Sequence, residues 1–133
     1  MAKATLKVGL VSPEREIWAG EAEQVIAQTI EGQMGILAGH VPVLGVLVDG
    51  SVVRIKPVDR TDWVTAMVGS GFFSVAEDQV AVLAEEAELS DMIDIPAARV
   101  ALQEALDAEV KDADAIVAER RARARLRAAG EEV

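Results

Sequence analysis

The sequence contains no cysteine, which closes off disulfides, thiolate metal sites and thiol nucleophiles and suits a reducing cytoplasm. Only 3% of its residues are aromatic, so bases and sugar rings find little to stack on, and the core has to come from Val, Ile, Leu and Ala. Basic residues are scarce too: 13 Lys and Arg against 23 Asp and Glu leave a net charge of -10, which repels phosphate backbones. Nucleic acid and anionic lipid are therefore not expected as partners. At the start, Lys3 and Lys7 interrupt the apolar stretch before it reaches signal-peptide length, so nothing directs the chain to secretion. The single histidine, His40, cannot make a zinc site alone, because such a site needs three or four ligands.

What is present divides the 133 residues into two textures. From Ala4 to about Glu86 the apolar spacing is two: Leu6, Val8 and Leu10 alternate with polar or small residues, as do Val64, Ala66 and Val68, and then Val80 and Val82. Turn residues at Ser12-Pro13, Ala19-Gly20, Asp49-Gly50, Lys56-Pro57, Gly69-Ser70-Gly71 and Glu77-Asp78 recur at the spacing of an antiparallel sandwich or barrel. Asp49-Gly50 reads as a two-residue hairpin turn. Residues 96 to 133 hold twelve alanines and no glycine but Gly130, which predicts helix. A first helix is expected from Ile95 to Glu109, capped by Asp94 with Pro96 in its first turn, and Ala98, Leu102, Leu106 and Val110 form its apolar stripe. Lys111 to Asp114 make a turn and cap, and Ile116 to Ala129 a second helix; one continuous helix is the competing reading. The fold class is thus α+β by segment, an N-terminal antiparallel β-sandwich (1–88) followed by a C-terminal α-helical hairpin (89–133).

Two stretches stand out. Gly32 to Val48 is a run of seventeen residues without Lys, Arg, Asp or Glu. It is shorter than the ~20 residues of a spanning helix and is broken by four glycines and Pro42, so loop plus buried strand is expected. Its glycines lack the Gly-Lys-Ser/Thr ending of a phosphate loop and the spacing of a dinucleotide fingerprint, and each is read as permitting a tight turn. No Gly-x-Ser-x-Gly elbow accompanies His40. An uncharged, glycine-shaped segment in water points to a contact surface. The second stretch carries Arg120, Arg121, Arg123, Arg125 and Arg127 around a narrow seam of Ala118, Ala122, Leu126 and Ala129. It is either a solvated basic helix end or a detachable helix that docks on acidic protein surface.

The stretch Glu31 to Leu47, EGQMGILAGHVPVLGVL, resembles the Glu-Gly-x-x-Gly-Ile-x-x-Gly-His-x-Pro signature of the epsilon subunits of F-type proton-translocating ATP synthases. VVRI, GSGFFSV and VAVLAEEAE support it, and the ending RARARLRAAG looks actinobacterial. The resemblance implies a rotor part without a catalytic centre, peripheral on the cytoplasmic face of the cell membrane. Its sandwich would bind the gamma subunit and rest on the c-subunit ring below the alpha/beta catalytic head. Glu31, Gly32, Gln33 and Met34 would touch the ring and His40 and Pro42 would touch gamma, with Glu31 to Gly39 an interface loop and Pro42 to Val48 a buried strand. Gln33 stands where many relatives carry a second acid, which weakens the electrostatic share of the ring contact. The helices would act as a mobile brake on ATP hydrolysis, with the arginines of the second helix gripping acid on a catalytic beta subunit. No cofactor is implied; ATP enters only as a regulatory ligand. Its Ile-Asp-x-x-Arg-Ala motif departs here, because Arg99 follows Asp94 by five residues instead of three, about 200 degrees off on a helix. The reading from another class is an unrelated sandwich that binds a small ligand and self-associates through its helices.

Overall fold

The computed structural model describes residues 4–133, so Lys3 lies outside the described residues. Nine strands come first: β1 (Leu6–Val11), β2 (Glu16–Thr29), β3 (Gly32–Leu37), β4 (Val43–Leu47), β5 (Ser51–Pro57), β6 (Val64–Val68), β7 (Gly71–Ala76), β8 (Gln79–Ala84) and β9 (Ala87–Leu89). Two helices follow, α1 (Ile95–Asp107) and α2 (Ala113–Ala128). The strand order is β1-β8-β7-β4-β2-β5-β6-β9, with β3 on β2 and β1 also paired to β2. The long β2 belongs to both layers: its first half pairs β1, and its second half pairs β5 and β3. The pairing is antiparallel as expected, except for β1 and β8, which run parallel from Lys7↔Gln79 to Val11↔Leu83.

The alternation in the sequence does what it predicts between the layers. Leu6, Val8, Leu10, Val80 and Val82 turn inward, joined by Val25, Ile36, Val53 and Ile55. The core also takes one aromatic, Phe73, which is fully buried and whose ring lies where a Cβ on Gly45 would sit. That close approach explains a glycine in mid-strand.

Several expectations are corrected. The segment Glu31 to Gly39 is mostly strand: β3 pairs β2 from Thr29↔Gly32 to Gln24↔Leu37, and only Gly32 (φ 126°) and Gly39 (φ 86°) need positive φ, while Gly35 is extended. An uncharged segment lying beside a long strand gains more from ladder hydrogen bonds than from looping. β4 is not a buried strand, since only Leu47 is buried and Leu44 and Val46 face outward. Asp49-Gly50 is a turn but not a hairpin, because β4 pairs β7 while β5 pairs β2 and β6. The chain changes layers there, with Gly50 at φ 73° donating its N–H to Val68 O at 3.0 Å. The tight hairpin with positive φ at both central residues is Glu77-Asp78 (φ 50° and 60°), between β7 and β8.

The tail is a hairpin of two helices. Asp94 accepts from Ala97 N at 3.0 Å and Asp112 from Ala115 N at 2.9 Å, so α2 starts a turn earlier than expected. The α1 helix stops short of Glu109, and Lys111 Nζ donates to the carbonyls of Ala105 (2.7 Å) and Leu106 (2.6 Å) at its end. The stripe that faces inward is also smaller than read: Ala98 and Ala105 are buried, whereas Leu106 and Val110 are exposed. On α2 the buried residues are Ala122, Ala124, Leu126 and Ala128, and Ala118 is exposed.

Positive φ costs a non-glycine residue about 1–2 kcal/mol, less for asparagine. Glu77→Asn should therefore raise the melting temperature by about 2 °C, measured by calorimetry. A fall would contradict the turn assignment.

Candidate functional site

The signature segment is held at both ends. At the β2–β3 turn the buried Thr29 hydroxyl donates to Gly32 O (2.7 Å) and accepts from Glu31 N (3.2 Å), which fixes Ile30 and Glu31 on the surface. Glu31 and Gln33 are exposed, Gly32 is half-buried, and Met34 packs against the core. At the other end Gly39 N donates to Asp78 Oδ1 at 2.7 Å, His40 N donates to Leu37 O at 3.1 Å, and His40 Nδ1–H donates to Val41 O at 2.7 Å. Asp78 also accepts from Lys7 N through its backbone carbonyl, so one turn anchors two neighbours. The residues expected at the ring (Glu31 to Met34) and those expected at gamma (His40, Pro42) thus lie toward opposite ends of β3, a strand about 17 Å long at ~3.3 Å per residue.

Beside the segment lies a bare apolar face. Cross-strand register aligns Val46↔Phe72, Phe72↔Leu83 and Leu83↔Val11, a single row over β4, β7, β8 and β1. Phe72 is 53% exposed, Leu83 50% and Val46 41%, and with Leu44 (72%) they form an outer face bearing a groove of about 580 Å³. An apolar surface of this kind marks a docking site. The doublet Phe72-Phe73 carried the signal, since neighbouring strand residues point to opposite faces: one ring fills the core and the other is offered outward.

The opposite outer face is covered. Ala124 and Ala128 of α2 pack on Met67 and Ile93, with Val52 at the margin, so β6 is buried on both sides. The arginines hold the helix there. Arg121 Nε reaches Asp49 Oδ1 at 2.8 Å and its second nitrogen Asp49 Oδ2 at 3.1 Å, a bidentate fork, and Nη1 lies 3.4 Å from Glu86. Arg125 bridges Glu88 (3.2 Å) and Glu86 (3.2 Å). Arg123 pairs with Glu119 within the helix, and Arg120 and Arg127 are exposed. The Asp49-Gly50 turn is the seat of the helix: a Cβ on Gly50 would stand 2.8 Å from the Arg120 carbonyl carbon. The Asp49, Glu86 and Glu88 strip was not legible beforehand, because Asp49 precedes the Glu86 and Glu88 pair by 37 and 39 positions and joins it only through the fold.

A family model described as ATP synthase, Delta/Epsilon chain, beta-sandwich domain matches residues 5–90. The chain is 51% identical over 125 residues to the ATP synthase epsilon chain of Thermobifida fusca (93% of this chain, 91% of that one). This chain belongs to the ATP synthase delta/epsilon family. The epsilon chain of Streptomyces coelicolor is 46% identical over 126 residues (95% and 96%). In fold, it is similar to a chain of the Euglena gracilis mitochondrial ATP synthase (TM-score 0.78, 21% identity, 93% and 81% covered). It is also similar to one in the Tetrahymena thermophila central stalk and c-ring structure (TM-score 0.59, 17% identity, 98% and 95%). The actinobacterial relatives agree with the resemblance of the arginine-rich ending, and the unrelated ligand-module reading gains no support.

Within this family frame, Asp94 and Arg99 are both engaged. The Asp94 carboxylate caps α1, and Arg99 pairs with Glu131 at 2.6 Å, tying the chain end back to α1. The bond to Asp49 raises the Arg121 pKa above its ordinary value; burial opposes this, and Glu86 and Glu85 add attraction. The resulting stability is complete below the unfolded pKa and lost only as pH rises through the higher folded one, so salt rather than working pH controls the latch. Arg121→Met should weaken helix docking by about 1–2 kcal/mol. The readout is roughly tenfold faster hydrogen exchange across α2 with β1 and β8 unchanged; uniform acceleration, or none, would contradict the latch.

Proposed function

We propose that the chain is a non-catalytic rotor subunit of an F-type ATP synthase, coupling proton-driven rotation of the c-subunit ring to ATP synthesis in the alpha/beta catalytic head. It would sit as a peripheral component on the cytoplasmic face of the cell membrane. Among the described residues no helix is long and apolar enough to cross a membrane, so membrane contact would come through the complex. The observation that carries the reading is the asymmetry of the sandwich, whose one outer face is covered by its own helices while the other offers the Val46, Phe72, Leu83 and Val11 row.

On this reading the bare face and the His40 and Pro42 end dock on gamma, and the Glu31 turn meets the polar loops of the ring. Torque demands a body that does not yield, and two β-layers sharing one 14-residue strand around a close-packed core supply it. The hairpin does a different job. Docked, Arg121 and Arg125 hold Asp49, Glu86 and Glu88; extended, the same arginines, with Arg120, Arg123 and Arg127, grip acid on a catalytic beta subunit and slow hydrolysis. One set of Arg–carboxylate bonds replaces another, so the two poses stay within the few kcal/mol that a switch requires, since about 5.5 kcal/mol already moves a population from 1:99 to 99:1. The alanine-rich seam keeps the docked pose from being too strong. A regulatory nucleotide near Asp94 and Arg99 would first have to displace the cap and the Glu131 pair.

Phe72→Asp tests the docking face, because its side chain points outward and its loss should leave folding intact. Co-elution with purified gamma is expected to weaken at least about tenfold, as for a central apolar anchor. Undiminished binding by a folded variant would overturn the assignment of this face.

A further inference from the structure

A cleft of about 350 Å³ opens on the outer face of β3, β2 and β5 beside the end of α2, at the small end of ligand sites, which span ~300–1000 Å³. Arg54 of β5 and Arg127 of α2 both line it. Among the described residues neither makes an ion pair, although the chain has 23 acidic side chains and Arg99, Arg121, Arg123 and Arg125 all have carboxylate partners. Gln28 and Gln33, paired across β2 and β3, add side-chain amides to the wall, and the rest is apolar or already bonded: Ser51 Oγ donates to Val48 O at 2.6 Å and Gly50 N to Val68 O. The lining therefore has two guanidinium forks and no carboxylate, on a chain of charge -10.

We propose that this cleft is an oxyanion site, taking a phosphate dianion between Arg54 and Arg127 with Gln28 and Gln33 completing its hydrogen bonds. Guanidinium forks match the oxygen spacing of phosphate, and a dianion relieves the repulsion between two like charges on one cleft. One arginine belongs to the sandwich and the other to the last turn of α2, so a bound phosphate ties the helix to the sheet at a point the Arg121 and Arg125 latch does not reach. The site is distinct from the Asp94 and Arg99 positions, and it stands whether or not the rotor reading does, because it is a property of the isolated chain.

The test titrates the full chain with inorganic phosphate against sodium chloride at matched ionic strength, following the melting temperature and the hydrogen exchange of α2. At about ten times its dissociation constant, phosphate should raise the melting temperature by about 3 °C over chloride and slow exchange at Arg125 to Ala128. Arg54→Gln and Arg127→Gln are both surface changes that should leave the melting temperature in chloride unaltered, and each should weaken the phosphate response at least about tenfold. No phosphate-specific shift, or a shift in both variants as large as that of the unsubstituted chain, would overturn the site. A response to a poly-glutamate peptide with none to phosphate would assign the cleft to a protein partner and overturn it equally.

Discussion

The docking of α2 on β6 is the contact on which the placement of the C-terminal hairpin depends. Met67 is an outward residue of a sandwich strand and would be half-exposed in a two-layer protein, yet it is fully buried under Ala124 and Ala128. The apolar contact is small because alanines make it, and direction comes from the bidentate Arg121 fork on Asp49 and the Arg125 bridge over Glu86 and Glu88. Arg–carboxylate bonds at a partly exposed rim are specific in geometry but modest in strength. That combination holds a helix in one register without making it inseparable from the sheet.

The two layers divide the work. Register places four apolar side chains in a row on one outer surface, and the bulk that would be needed to cover them is absent from the chain's own helices, which lie on the other surface. A permanent partner suits the bare side and a releasable element the covered side. The signature segment links these roles, because β3 runs along β2 with Glu31 fixed by Thr29 at one end and His40 fixed near Asp78 at the other. Rigid placement of both ends is what a part that transmits force between two neighbours requires.

Much of this was legible in the sequence, wherever a local rule decided the outcome. Period-two alternation marked Leu6, Val8 and Leu10 as core, and Asp94 before Pro96 marked the start of the first helix, while the second begins a turn before the expected Ile116. The glycine-rich run misled, since glycine signals freedom of φ and not its use: Gly35 and Gly45 are extended in strands, the second because Phe73 occupies the space of its side chain. Asp49-Gly50 was recognised as a turn but its partners were not, because pairing of β4 with β7 and β5 with β6 is a matter of topology. The apolar stripe of α1 failed for a related reason: close helix packing selected Ala98 and Ala105 and left the larger Leu106 outside. The acidic strip under the arginines was invisible until strands distant in sequence were brought side by side.

The most direct test of a chain with one fixed and one releasable element is ATP hydrolysis by a catalytic head lacking this subunit, with the full chain or residues 1–89 added back and binding followed by co-elution. The account predicts stoichiometric binding of both forms and inhibition by the full chain alone. Equal rates with both forms bound, or failure of the full chain to bind, would contradict it.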